Sequence, residues 1–339
     1  MRVRSFALVL VLILAAAGTA TPASAQKLIP LRVRLGDVSI NKVPFVVAFE
    51  EGIYEKNGLD VDQFISPRAA EVMRRSGVIV PRQYVREFNN SAPIGIGGGT
   101  PTIVSRTTNA RSLGRIILAT TDHISRWHIV AQPEITKPEQ LKGKRLGFSG
   151  VGAMTHFIAR VFVERMGWDP VHDISLMSQA LGLDTLQNRA VDAFVADEIA
   201  YAMARKAGYQ PLLNVRPWNV PIAGSGVHTT ESWLRENRET ARRFIKATVE
   251  AIALMKKDKE VAFRAMEKWY GIQDREVQGM IYAGAAEMPR KPYPAVAGLK
   301  KTMEMYDSNE MRKYKVEDFY DDSFVRELDE SGYIDSLYQ

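Results

Sequence analysis

Hydrophobic and polar residues alternate along the chain with two different periods. Residues 31–38 and 59–65 form short apolar or alternating runs, which are typical of β-strands. Between them, residues 41–57 place apolar side chains at helical spacing, and Gly58 follows as a stop signal. Strands and helices continue to alternate to about residue 228, after which the pattern is mostly helical. The pattern predicts an α/β fold with mostly parallel sheets flanked by helices.

Two segments share a strand–glycine–helix outline: residues 92–106 (APIGIGGGTPTIVSR) and 144–157 (KRLGFSGVGAMTHF). A helix that begins directly after glycines leaves backbone N–H groups that attract an anion. If the segments lie in separate lobes, both helix N-termini face one cleft. The alternatives are a bare turn for the first segment, an N-cap at Ser149, and a His156 that packs inside its lobe. The candidate ligand-binding residues are Gly98, Gly99, Thr100, Ser149, Gly150, Val151, Gly152, Thr155 and His156.

The first 25 residues have the features of a secretory signal peptide. Arg2 and Arg4 form a basic start, residues 6–17 are almost entirely apolar, and the small residues 23–25 resemble a cleavage site. We therefore expect cleavage near Ala25 and export of the rest of the chain. No later segment reaches the ~18 unbroken apolar residues of a membrane-spanning helix.

Composition excludes several classes of function. The sequence of 339 residues contains no cysteine, which rules out disulfides, thiolate metal sites and a cysteine nucleophile. The formal charge of +6 is mild and no basic stripe is concentrated, so nucleic-acid binding is not expected. His123 and His128 lack the spacing of metal ligands on a helix. We expect no metal and no cofactor.

Neither common glycine motif of catalysis is complete in the second segment. Residues 147–151 lack the second glycine of a nucleophile elbow, because Val151 stands in its place. Residues 150–155 match only half of a dinucleotide-binding fingerprint. No catalytic residues are predicted, and the chain is not expected to be an enzyme.

Four sequence segments resemble the periplasmic substrate-binding proteins of ABC importers, in the nitrate/sulfonate/taurine and thiamine-precursor group. They are residues 45–61, 96–101, 141–152 and 190–198. The resemblance implies a two-lobed type II periplasmic binding-protein fold with two crossover strands. It also implies a ligand in the cleft and no chemistry performed on it. The implied division is lobe 1 at 26–124, lobe 2 at 125–223 and a largely helical return to lobe 1 at 224–339.

The chain departs from the family pattern at two places near the expected cleft. Residues 66–91 are longer than the usual short helix and contain five arginines, and Ile199 replaces a common proline. One reading of the arginine segment is a solvated helix pair, with short helices at 67–77 and 81–89. The other is that one arginine reaches the cleft and selects an organic acid.

Three further polar residues occupy positions where ligand groups are expected. Asp197 follows a strand, where α/β proteins place ligand contacts, and would equally serve as a helix N-cap. Arg126 lies where the chain crosses between lobes, and binds either a carboxylate or sulfonate or an inter-lobe carboxylate. Asn41 follows the first strand and either caps its helix or contacts ligand. Four aromatic residues are candidates for sandwiching an apolar ligand body or for lobe core: Phe45, Trp127, Tyr201 and Trp218.

Together these features predict a periplasmic solute-binding protein that captures a small organic anion in a cleft between the lobes and delivers it to an ABC-type importer. The expected ligand is a carboxylate or sulfonate with an aromatic or hydroxylated body, and the expected partner is an ABC transporter permease. The protein is expected to be a monomer. The alternatives are an exported enzyme on the same scaffold and a protein that presents its ligand to a periplasmic sensor.

Overall fold

The computed structural model describes residues 27–87, 92–109 and 111–339. The predicted signal peptide, residues 1–25, lies outside these ranges and stays a prediction. No helix within the described ranges is long and apolar enough to cross a membrane.

Within the described ranges, ten strands form two separate five-stranded sheets with the orders β2-β1-β3-β10-β4 and β7-β6-β8-β5-β9. We call the two halves built on these sheets the first and second lobes. The strands are β1 Ile29–Leu35, β2 Leu59–Ile65, β3 Ile94–Gly98, β4 Arg115–Thr120, β5 His128–Ala131, β6 Arg145–Phe148, β7 Ser175–Ser178, β8 Ala193–Ala196, β9 Pro211–Asn214 and β10 Ser225–Thr230.

Each sheet is mixed, with one strand that runs against the other four. In the first sheet β10 is antiparallel to both β3 and β4, and in the second β5 is antiparallel to both β8 and β9. These are the first strands that the chain forms after crossing between the lobes. The crossing segments themselves pair at Ile124 and Pro221. The predicted two-lobed α/β fold is therefore confirmed, while the residue limits predicted for the lobes stay a prediction.

Helices cover the faces of both sheets, as their apolar stripes require. The helices are α1 Val43–Glu50, α2 Ile53–Lys56, α3 Pro67–Arg75, α4 Gly99–Thr108, α5 Met154–Met166, α6 Leu183–Gln187, α7 Glu198–Lys206, α8 Glu231–Glu236, α9 Arg238–Lys257, α10 Lys259–Tyr270, α11 Arg275–Ala286, α12 Val296–Met305, α13 Ser323–Glu330 and α14 Tyr333–Ser336. Ile199 and Ala202 of α7, which follows a second-lobe strand, join the core of the first lobe.

Two helix predictions are corrected by the structure. The single helix expected at 41–57 is divided between α1 and α2, because Gly52 adopts a left-handed backbone with φ of 65°. The helix expected at 81–89 is reduced, within its described part, to a 3-10 turn at Arg82–Tyr84. Val85 instead pairs with Ile65 at the end of β2, which holds this segment extended.

Candidate functional site

A cleft of about 470 Å³ lies between the two sheets. Its wall is built mainly where parallel strands end, since the carboxyl ends of such strands collect at one edge of a sheet. In the first lobe the lining includes Asp37 after β1, Ser66 after β2 and Gly98 at the end of β3. In the second lobe it includes Ser149 after β6, Gln179 after β7 and Asp197 after β8. The fold thus brings six strand ends, three from each lobe, to one cavity.

Helix α3 forms one wall of the cleft with a single face. The face contains Ser66, Ala69, Val72, Met73 and Ser76, which recur at the three- and four-residue spacing of one helical side. Most of these side chains are apolar, so the wall is suited to an apolar ligand body. The C-terminal end of α3 packs against the second lobe, because the backbone of residue 182 lies against the carbonyl of residue 75.

The arginine segment sends one arginine to the cleft wall. Arg68, near the start of α3, lines the cavity and is exposed. No carboxylate of the described residues lies within ion-pair distance of it. Arg74, by contrast, is paired with Glu71 at 2.7 Å on the outer face of α3. Arg68 is therefore the arginine of this segment that is positioned to meet a ligand.

The N-terminus of α4 offers fewer donors than the sequence predicts. Gly99 donates its N–H to the carbonyl of Gly224 at 2.6 Å, and Pro101 has no N–H. The glycine at 99 is explained by this close approach, since a Cβ there would lie 2.3 Å from the Ala223 oxygen. Thr100 is fully buried, with its hydroxyl 3.3 Å from that of Thr302. Of the predicted residues in this segment, the structure brings only Gly98 to the cleft lining.

The loop before α5 lines the cleft but is held by internal hydrogen bonds. Ser149 N–H donates to Thr155 Oγ1 at 3.0 Å, and the two hydroxyls lie 2.7 Å apart. Gly150, Val151 and Thr155 also line the cavity, and Val151 is 75% exposed. The loop therefore supplies side chains and shape to the cleft, while some of its polar groups are already paired.

His156 anchors this loop from behind and does not line the cleft. Gly152 N–H donates to His156 Nδ1 at 3.2 Å, so Nδ1 acts as an acceptor and the ring proton of the neutral form lies on Nε2. The Tyr306 hydroxyl, 2.9 Å from the same nitrogen, must then be a donor. Burial, with a smaller effect of Arg160, lowers the pKa of His156 to about 4, which keeps it neutral. Gly152 and His156 were both predicted to contact the ligand, and neither of them lines the cleft.

A buried lysine, which the sequence analysis missed, lies in the first-lobe wall. Lys42 is only 2% exposed. Its ammonium donates to Asp37 at 2.8 Å, to Ser39 at 3.1 Å and to Ser225 at 2.8 Å. Three partners compensate for the loss of water around a buried charge. The sequence signal for this site was weak, because Ser225 lies far along the chain.

Asn41, Arg126 and Glu198 form a polar network beside the cleft. Arg126 donates to Glu198 at 2.8 Å and to the Asn41 carbonyl oxygen at 3.3 Å, and Asn41 donates to Asp122 at 2.9 Å. Asn41 lines the cleft, whereas the Arg126 guanidinium is buried in this network and is not brought to the lining. Of the two alternatives for Arg126, the structure contains the salt bridge.

Asp197 lines the cleft and also caps α7. Its Oδ1 accepts the Ala200 N–H at 2.8 Å. Burial, followed by the nearby Glu198 carboxylate, raises the pKa of Asp197 to about 7. At neutral pH the group is therefore present both as a carboxylate and as a carboxylic acid, and only the acid can donate a hydrogen bond.

Of the four aromatic candidates, only Trp127 is brought to the cleft lining. Phe45 stacks on Phe244 in the first-lobe core, and Tyr201 stacks on His128 with ring centroids 3.9 Å apart. Trp218 lies under the Arg165 guanidinium. In the described part of the chain no group of His, Cys, Asp or Glu side chains is arranged to hold a metal ion.

Solved structures with the same two-lobed fold share little sequence with this chain. The periplasmic nitrate-binding protein NrtA from Synechocystis PCC 6803 has a TM-score of 0.71 at 13% identity, over 93% of this chain and 92% of its own. The periplasmic aliphatic sulphonate-binding protein SsuA from Escherichia coli has a TM-score of 0.64 at 17% identity, over 86% and 91%.

A third similar structure is a cysteine-to-serine variant of DSZB in complex with biphenyl-2-sulfinic acid. Its TM-score is 0.64 at 14% identity, over 89% of this chain and 99% of its own. Another solved structure describes DSZB as a desulfurization enzyme. At these identities the three likenesses show the fold alone.

Sequence comparison decides the family. A search of curated proteins returned no match. The family model described as NMT1/THI5 like matches residues 39–262, which is well over half of the chain and includes most of the cleft lining. The chain belongs to the NMT1/THI5-like family.

Proposed function

We propose that this protein is an exported solute-binding protein that captures a small organic anion and delivers it to an ABC transporter permease. The observation that carries the proposal is the cleft itself. It has a volume of about 470 Å³, within the ~300–1,000 Å³ range of small-molecule sites, and both lobes contribute to its wall. The solved structures named as nitrate- and sulphonate-binding proteins support the same role.

Among the charged side chains that line the cleft, Arg68 favours an anionic end on the ligand. Lys42 is neutralised by Asp37, so that pair contributes little net charge. Arg68 has no such partner among the described residues and supplies a positive charge at the wall. Asp197 opposes an anion only when it is ionised, and its pKa of about 7 leaves it partly protonated. A protonated Asp197 would donate a hydrogen bond to an oxyanion.

The apolar part of the wall favours a body larger than an inorganic ion. The α3 face presents Ala69, Val72 and Met73, and Trp127 and Met154 line the same cavity. A carboxylate or sulfonate with an aromatic or alkyl body would contact both the arginine and this apolar wall. Both groups are oxyanions of the kind that Arg binds through paired N–H groups.

An enzyme on the same scaffold is the second candidate, because DSZB shares the fold. The DSZB structure with sulfinic acid is a cysteine-to-serine variant, whereas this chain contains no cysteine. The hydroxyls of Ser149 and Thr155 are hydrogen-bonded to each other, and His156 Nδ1 accepts hydrogen bonds from Gly152 N–H and the Tyr306 hydroxyl. These contacts leave Ser149 without an adjacent base, which supports binding without turnover.

Ligand binding is tested by a thermal-shift screen of the purified protein. The screen uses matched carboxylates, sulfonates, their uncharged amides and cationic amines, and mass spectrometry follows each compound. A true ligand at a hundredfold excess over its dissociation constant stabilises the protein by ~3 kcal/mol. Shifts by amines alone would contradict an anion site, and catalytic consumption of a compound would favour the enzyme. Measuring transport of the ligand in cells that lack the permease distinguishes delivery to a permease from presentation to a sensor.

Arg68→Ala is expected to weaken binding of the best acid by about thirtyfold, or ~2 kcal/mol, because a charged hydrogen-bond donor is lost. Isothermal titration calorimetry measures the change. Arg74→Ala is the matched control, since Arg74 lies on the same helix but pairs with Glu71 outside the cleft. Equal affinities for the two variants would place the anion elsewhere.

A further inference from the structure

A buried hydroxyl without a hydrogen-bond partner lies in the cleft wall. Ser76 is the last residue of the α3 cleft face and has 0% relative exposure. Its Oγ has no hydrogen-bond partner among the described residues. A buried polar group in this state is unfavourable, because it has lost water without gaining a replacement. A ligand group that reaches Ser76 before the lobes close would supply the missing partner.

Ser66, at the other end of the same face, shows what a satisfied serine looks like on this helix. Its hydroxyl accepts the Ala69 N–H at 3.3 Å and caps α3. Ser76 lies at the helix C-terminus, and its backbone N–H is already directed to carbonyls of the last turn. The contacts of the Ser76 hydroxyl therefore show no structural role for it in α3.

The position of Ser76 relative to Arg68 sets the shape of a ligand that meets both. The two residues are eight positions apart on α3, which separates their Cα atoms by about 12 Å at 1.5 Å per residue. Ala69, Val72 and Met73 lie between them on the cleft face. The second lobe contributes Gln179 to the same cleft, and its amide can both donate and accept.

We propose that Ser76 is a specificity-determining residue that hydrogen-bonds an uncharged hydroxyl or amide on the ligand, at the end remote from its acid group. This inference rests on the proposed function and narrows it to bifunctional acids with a rigid ring or a short chain between the two groups. Because the Ser76 hydroxyl is fully buried in this conformation, the ligand enters while this end of the cleft is open. Closure of the lobes then makes the hydrogen bond.

The test compares matched acids on wild type, Ser76→Ala and Ser66→Ala. The probes are benzoate with 4-hydroxybenzoate and hexanoate with 6-hydroxyhexanoate, together with the corresponding sulfonates. We expect wild type to bind one hydroxylated member about tenfold more tightly than its unsubstituted partner, as one hydrogen bond allows. Ser76→Ala should abolish that preference, leave the affinity for the unsubstituted acid unchanged, and leave the ligand-free melting temperature unchanged or raised. Ser66→Ala, which removes the N-cap of the same helix, should lower the ligand-free melting temperature.

Three outcomes would overturn the proposal in distinguishable ways. If wild type binds acids but prefers neither member of any pair, the role of Ser76 is wrong while the proposed function stands. If Ser76→Ala lowers the ligand-free melting temperature as Ser66→Ala does, the hydroxyl has a structural partner and is not reserved for a ligand. If no acid binds to wild type, the anion-binding function fails, and this ligand class fails with it.

Discussion

Arg126→Met is expected to lower the free energy of unfolding by about 3–5 kcal/mol. The substitution keeps most of the side-chain volume but leaves the Glu198 carboxylate without its partner. Both side chains are buried, at 9% and 11% exposure, so water replaces the lost ion pair poorly. The Asn41 carbonyl oxygen also loses the donor that Arg126 provides at 3.3 Å. Urea unfolding at pH 7 measures the change.

A double-mutant cycle separates this penalty from simple loss of packing. Glu198→Leu alone leaves the guanidinium buried without its carboxylate and should also destabilise. The double variant Arg126→Met with Glu198→Leu should cost less than Arg126→Met alone, because no unpaired charge remains. The exposed pair of Arg74 and Glu71 is the control, and Arg74→Ala is expected to cost much less stability, because solvent screens an exposed ion pair. If Arg126→Met and Arg74→Ala lower the free energy of unfolding by similar amounts, the buried pair stabilises the protein no more than the exposed pair does.

The sequence predicts the elements of this fold well where apolar runs are short and clearly bounded. The strand Leu59–Ile65 has the predicted limits. The antiparallel direction of β5 and β10 could not be predicted from apolar runs, because strand direction depends on where the chain crosses between the lobes. The break at Gly52 also escaped prediction, since the apolar spacing continues across it.

The predicted site residues divide into those that the structure brings to the cleft lining and those that contact other protein groups instead. Seven of the predicted residues lie at or after strand ends, and the structure brings them to the cleft lining: Asn41, Gly98, Ser149, Gly150, Val151, Thr155 and Asp197. Gly99, Thr100, Arg126, Gly152 and His156 were also candidates, but they are directed to other protein groups. Their partners include Gly224, Thr302 and Tyr306, which are remote in sequence. A single sequence does not reveal which hydrogen-bonding groups are already paired with residues far along the chain.

Asp197→Asn is expected to stabilise the protein at pH 8 and to have little effect at pH 4. The folded state raises the pKa of Asp197 to about 7, from an ordinary value of 3.8. Between these pH values the unfolded chain ionises while the folded chain still holds the proton, so wild-type stability falls as pH rises and levels off above 7. Three pKa units correspond to roughly 4 kcal/mol, and water in the cleft reduces this, so we expect about 1–4 kcal/mol. Asparagine stays neutral and still caps α7.

The same substitution should remove a pH step from anion binding. If protonated Asp197 donates to the anion, wild-type affinity falls by up to tenfold per pH unit above about 7, whereas the Asp197→Asn affinity stays flat. Calorimetric titrations between pH 5.5 and 8.5 test this, alongside unfolding measurements at pH 4 and 8. Asp192→Asn is a control of opposite sign, because its hydrogen bond with Arg145 lowers the pKa of Asp192, and its removal costs stability at neutral pH. A pH step that persists in Asp197→Asn would mean that another group controls binding, and an unchanged stability at pH 8 would mean that the carboxylate is well hydrated in the cleft.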